Sequence, residues 1–199
     1  MKTRIITAAL FVTATLIYSC TNNTTPASTA VEKDSTKTEF GNYATQVELG
    51  KHLAVICGCG DCHTPKKMTE EGPVPDVSLA YSGAQSAMPL PEITAAQISK
   101  GTAATFDETT WVGPWGKSFA ANITSDSTGI GLWSEDQFMN CLRNGLYKGL
   151  RASRPLMPPM PWQDYSQMSD KELKAIFAYL KSTKPVHNVV AEYQPPTRQ

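Results

Sequence analysis

Residues 59–63 read Cys59-Gly60-Asp61-Cys62-His63. Two thiols three positions apart, followed directly by an imidazole, form the C-x-x-C-H pattern by which a c-type haem is attached to a chain. Each thiol can form a thioether to one edge of the porphyrin, and the adjacent imidazole becomes the proximal ligand of the iron. A zinc site would need two further ligands at comparable spacing, and the sequence has no second C-x-x-C and no H-x-x-x-H. A thioredoxin-like dithiol would need a surrounding βαβ pattern, which the flanking residues lack. A single motif implies one haem c, covalently held by Cys59 and Cys62 and ligated by His63.

Upstream, residues 1–19 read as an export signal. Lys2 and Arg4 precede an apolar run from Ile5 to Ile17, which is short for a membrane-spanning helix. The run ends Leu16-Ile17-Tyr18-Ser19-Cys20, which resembles a bacterial lipoprotein signal and implies acylation of Cys20. An ordinary signal peptide or a short retained anchor are the alternatives. Export agrees with the motif, because bacteria attach haem c outside the cytoplasm. Residues 20–44 are rich in Thr, Ser, Asn and Ala and are expected to be a flexible tether. Residues 45–190 are one domain's worth of chain, and 191–199 a tail. The formal net charge is 0, and loss of Lys2 and Arg4 turns it mildly acidic, so there is no basic excess for nucleic acid.

Of the five cysteines, Cys57 and Cys141 remain after the lipid and haem assignments. They could form a disulfide in an oxidising compartment or stay as two buried free thiols. Cys57 could also compete as the first haem thiol, but Cys59 already completes the usual spacing.

Three helices are predicted. The first covers about 44–57, with Leu49, Leu53 and Ile56 at helical spacing. The second covers about 134–144, with a capping box from Ser134 and Gln137 and Gly145 past its end. The third covers about 170–182, with Ser169 and Glu172 as its capping box and an apolar face of Leu173, Ile176, Phe177 and Leu180. A weaker turn follows Thr94, with Gln97 at its third position. No segment alternates convincingly as a strand. The expectation is an all-α fold with long loops around one covalently bound haem.

The second axial position has several candidates: Met68, Met88, Met139, Met157, Met160, Met168, His52 and His187. His52 lies on the first helix and cannot easily reach the far face. Met68 is too close to His63 in sequence, Met139 sits beside core positions, and Met168 is near a helix cap. Met157 and Met160 sit in Pro155-Leu156-Met157-Pro158-Pro159-Met160-Pro161-Trp162, where prolines stiffen an extended loop. Trp111, Trp115, Trp133 and Trp162 could line the haem or simply pack in the core. Asn122, Thr124, Arg143 and Arg151 could orient or neutralise a propionate, or serve as loop caps and surface charges.

From Gly50 to Val189 the chain resembles a class I-type cytochrome c domain. It is similar in particular to the single-haem domains in cytochrome subunits of membrane-bound bacterial alcohol and aldehyde dehydrogenases. The resemblance is carried by GKHLAVICGCGDCHTP from Gly50, by Asn122-Ile123-Thr124-Ser125-Asp126 with Gly129-Ile130-Gly131-Leu132-Trp133, by FMNCLRNG from Phe138, by MPWQDY from Met160 and by DKELKAIFAYL from Asp170. It implies a small cytochrome c fold whose first and last helices cross near Gly50. Its Met-Pro-aromatic motif implies Met160 as the distal iron ligand, with Met157 and His187 as alternatives. Cys57 and the lack of any dehydrogenase domain depart from the pattern, so no substrate carries over. Together with the lipoprotein-like signal ending at Cys20, the resemblance implies a lipid-anchored carrier of single electrons at the periplasmic side of a membrane. Its donor and acceptor would be redox proteins such as a membrane-bound dehydrogenase or oxidase, and it would not itself be an enzyme. The alternatives are a haem enzyme or a gas or redox sensor with a labile sixth ligand, and a haem-free structural lipoprotein.

Overall fold

Gly50 decides how the helices pack. In the computed structural model, which describes residues 39–196, a Cβ at Gly50 would overlap the backbone carbonyl of Ala175. Helix α1 (Gln46–Ile56) therefore crosses the last helix, α6 (Asp170–Ser182), at backbone contact. This is the crossing the resemblance implied. The buried row on α1 is Gly50, Leu53 and Ala54. Ile56, expected on that face, is 63% exposed, because the row facing α6 passes through Gly50 and leaves Ile56 on the opposite side.

Local hydrogen bonds set the helix ends. Thr45 caps α1 by accepting from the Glu48 N–H at 3.1 Å. Full capping boxes start α3 (Ala95–Ser99) from Thr94 and Gln97, α4 (Glu135–Asn144) from Ser134 and Gln137, and α6 from Ser169 and Glu172. Gly145 ends α4 in the left-handed region at φ 62°. Two shorter helices complete the set, α2 (Cys59–His63) and α5 (Trp162–Tyr165). The core gathers Leu53, Tyr81, Ile130, Phe138, Leu142, Leu173, Ile176, Phe177 and Leu180. The Phe138 and Phe177 rings join α4 to α6 with centroids 5.1 Å apart.

The all-α expectation, and with it the assignment to the small cytochrome c fold, is corrected by two antiparallel sheets among the described residues. Strands β1 (Lys66–Thr69) and β2 (Gly72–Pro75) form a hairpin with Lys66 opposite Pro75. Strands β3 (Ala104–Thr105), β4 (Thr110–Gly113) and β5 (Gly116–Phe119) form a meander in which Gly113 pairs with Gly116 across a tight turn. These strands have two to four residues each. That is too short for a period of two to show, and the first hairpin is almost wholly exposed, so it has no apolar face to alternate. Beyond α6, the chain runs back over the meander. Lys117 and Gln194 exchange backbone hydrogen bonds, and the Tyr193 hydroxyl donates to the Trp115 carbonyl at 2.6 Å.

Candidate haem site

Gly58, left-handed at φ 67°, separates α1 from α2 and starts the helix whose whole length is Cys59 to His63. His63 ends it and is buried at 9% exposure. Its Nδ1 lies 2.7 Å from the Ala121 carbonyl oxygen, which can only accept. Nδ1 is therefore the protonated nitrogen, and Nε2 keeps its lone pair for a metal. Burial lowers the imidazole pKa, which keeps the ring neutral as a ligand must be.

The acceptor is itself fixed. Gly83 N–H donates to the His63 carbonyl at 2.8 Å, and Ala84 N–H donates to the Ala120 carbonyl at 2.9 Å. Gly83 has φ 77°, and a Cβ there would overlap the backbone of Ala120 and Ala121, so only glycine lets these segments meet. Asn122 Oδ1 accepts from the Thr124 N–H at 3.0 Å, while its amide donates to the Val186 carbonyl at 2.8 Å. Asn188 continues the brace, donating to the Ser82 and Ala84 carbonyls at 2.8 and 2.9 Å. On the other side Lys66 Nζ joins the Asp61 carbonyl of α2 to the Asp107 carbonyl at 2.8 Å and the Glu108 carboxylate at 2.7 Å.

Cys59, Cys62 and His63 line a cavity of about 580 Å³, within the usual ligand-pocket range of about 300–1,000 Å³. Its floor is shared with the core through Ile130, Phe138, Leu142, Ile176 and Leu180. Burial pushes the Cys59 thiol up to about 12, with the neighbouring Cys57 adding to it, and burial also raises Cys62. Both are protonated at neutral pH, unlike the depressed thiols of redox dithiols. Among the described residues no three His, Cys, Asp or Glu side chains group to hold a bare metal ion. An apolar cavity, two thiols on its wall and a neutral imidazole with one committed nitrogen are a donor set that fits a haem c.

The cavity also sorts the candidates for the second axial position. Met157 and Met160 both line it, whereas Met68, Met88, Met139, Met168, His52 and His187 do not. Met160 additionally packs against the core cluster. His187 faces Asp126 at 3.6 Å, and His52 stacks on Tyr43 with ring centroids 5.1 Å apart. Trp111 and Trp133 line the cavity, while Trp115 donates to Ser118 at 3.0 Å and Trp162 packs on Gly145. Arg143 is held by Asp170 at 2.7 Å, and Arg151 is exposed. Cys57 and Cys141 are free thiols on the cavity wall, and no bridge joins them. Cys20, the export signal and the tether up to residue 38 lie outside the described residues.

Several lining residues escaped the sequence reading, Tyr147, Arg154 and Tyr193 among them, and Tyr165 was read only as part of the MPWQDY stretch with no role of its own. The Tyr165 hydroxyl donates to the Cys57 carbonyl at 2.7 Å, tying α5 to the end of α1. Tyr147 and Arg154 meet through a loop closed by the Leu146–Pro155 bridge, which no helical or strand periodicity marks. The helical spacing of Tyr165 from the Met-Pro-Trp motif was the one available signal.

No protein-family profile matches the chain. The gluconate 2-dehydrogenase cytochrome c subunit of Pantoea cypripedii is 40% identical over 67 residues, covering 33% of this chain and 14% of that protein. The chain is similar to cytochrome c subunits of dehydrogenases. The fructose dehydrogenase cytochrome subunit of Gluconobacter japonicus is 37% identical over 76 residues, 37% of this chain and 15% of that protein. The quinone-dependent alcohol dehydrogenase cytochrome c subunit of Gluconacetobacter polyoxogenes is 35% identical over 75 residues, 37% of this chain and 15% of that protein. The matched region thus covers about a third of the chain and a small fraction of each of these relatives.

Proposed function

We propose that this chain is a monohaem c-type cytochrome that passes single electrons between redox proteins, one of them a dehydrogenase. Cys59 and Cys62 would carry the haem, and His63 and Met160 would bind its iron. Acylation at Cys20 holds the domain at the periplasmic face of a bacterial membrane. The observation that carries the reading is the attachment helix in a cavity wall, with its imidazole proton already committed to Ala121. The names of the similar proteins support a dehydrogenase as partner. Among the described residues no helix is long and apolar enough to cross a membrane, and the lipid is the anchor proposed.

Bound in the cavity, a haem c supplies a one-electron iron couple. The chain's own groups set its conditions. Ala121 fixes the imidazole tautomer and orientation. The apolar floor excludes water, and the soft sulfur of Met160 favours the reduced metal, as His/Met ligation does generally. If His63 and Met160 both held the iron, no position on it would be left for substrate, and the protein would act as a carrier.

The test is maturation in cells with a working cytochrome c assembly system. Intact mass should show one covalent haem, lost in Cys59→Ser/Cys62→Ser. The methionine-to-iron absorption band should vanish in Met160→Ala and survive in Met157→Ala. A product with no adduct overturns the reading. Rapid CO binding by the reduced wild type at neutral pH would replace it with a haem enzyme or sensor. Radiolabelled fatty acid should enter the wild type and not Cys20→Ser.

A further inference from the structure

Arg154 is a half-buried cation on the cavity wall. Its guanidinium carbon lies 3.8 Å from the centroid of the Tyr147 ring and 5.4 Å from that of Tyr193. Its hydrogen bond goes to the Pro155 carbonyl at 3.1 Å, and no carboxylate among the described residues pairs with it. The two carboxylates on the wall are engaged elsewhere, Glu108 by Lys66 at 2.7 Å and Glu192 by the Tyr147 hydroxyl at 3.4 Å. A charge taken partly out of water needs a partner, and a flat guanidinium held against an aromatic ring offers a rigid fork that suits a carboxylate. Lys148 also lines the cavity and its ammonium lies 5.2 Å from the centroid of the same Tyr147 ring, but its side chain is exposed, whereas that of Arg154 is half-buried. Arg143 is spent on Asp170, and Arg151 does not reach the cavity.

We propose that Arg154, bracketed by Tyr147 and Tyr193, supplies the counter-charge for a carboxylate of the bound group, a haem propionate, and thereby raises its reduction potential. This rests on the haem reading above. A fixed cation disfavours the more positive oxidised iron, and it cancels a propionate charge that would favour that state. Both effects act in the same direction.

The experiment is redox titration of the matured full chain, with haem content measured in parallel by the alkaline pyridine spectrum. Arg154→Gln should retain haem and shift the oxidised-to-reduced ratio at fixed applied potential about tenfold toward oxidised, about 59 mV for one electron. Arg154→Lys should shift it less, and Lys148→Gln less still. An unchanged potential in haem-loaded Arg154→Gln overturns the assignment, as does a Lys148→Gln shift equal to or larger than it. If Arg154→Gln fails to load, Tyr147→Leu is titrated instead. It keeps the charge and loosens its bracket, so a smaller fall is expected and no fall overturns the proposal. Wild type that carries no haem at all overturns the haem reading itself, and the assignment with it.

Discussion

At Gly50 any side chain meets the α6 backbone, which cannot yield as a flexible side chain would. Gly50→Ala is expected to destabilise the protein by about 1–3 kcal/mol or more, the range for overpacking, measured as a lower midpoint in urea. Lys66 is the opposite kind of residue, a single cation holding three oxygens from two segments while only 10% of its side chain is exposed. Hydrogen bonds to charged groups contribute about 1.5–3 kcal/mol each. Lys66→Met should therefore lower stability by a similar amount and speed amide exchange in α2, because the Asp61 carbonyl loses its tie to the Asp107–Glu108 turn. Unchanged exchange across residues 59–63 would show that α2 is held by other means.

The capping boxes make α4 and α6 sensitive to small changes at their first turns. Ser169→Ala removes the acceptor for the Glu172 N–H and should cost about 1 kcal/mol in urea unfolding. The Glu172 carboxylate in turn accepts from the Ser169 N–H and hydroxyl, both at 2.8 Å, and this lowers its pKa below the ordinary glutamate value. The folded state thus binds that proton less tightly than the unfolded chain. The stabilisation is fully present above the usual glutamate value of about 4.3 and is lost as pH falls through the lower folded value. The gap in urea midpoint between wild type and Glu172→Gln should therefore close as pH falls below the usual glutamate value of about 4.3. These boxes also explain what could be read from sequence. Ser134 with Gln137 and Ser169 with Glu172 are local signals, so the starts of α4 and α6 were legible to within a residue. The strands were not, because β4 and β5 are defined by pairing with each other and not by any internal pattern. Likewise C-x-x-C-H is contiguous and could be read directly. The Ala121 acceptor, the Gly83 contact and the Arg154 bracket depend on which distant segments meet, and no spacing encodes that.

For the molecule as a whole, the cavity floor is built from side chains of the hydrophobic core. Phe138, Leu142, Ile176 and Leu180 face both. On the proposed attachment of haem at Cys59 and Cys62, preventing it should therefore loosen packing well beyond the site. Cys59→Ser/Cys62→Ser is expected to keep its far-ultraviolet dichroism, lose near-ultraviolet signal and bind ANS, the signature of a compact state without fixed packing. Full retention of near-ultraviolet signal would mean that the core stands without the prosthetic group.

The capped helices each close over a few neighbouring residues, whereas the bonds that seat the imidazole span much longer stretches of chain. His63 reaches Ala121 across 58 positions, Asn122 reaches Val186 across 64, and Asn188 reaches Ser82 across 106. Closing such loops is entropically expensive and kinetically late. During folding the helices should come first, and the socket for the ring should be assembled near the end of the reaction.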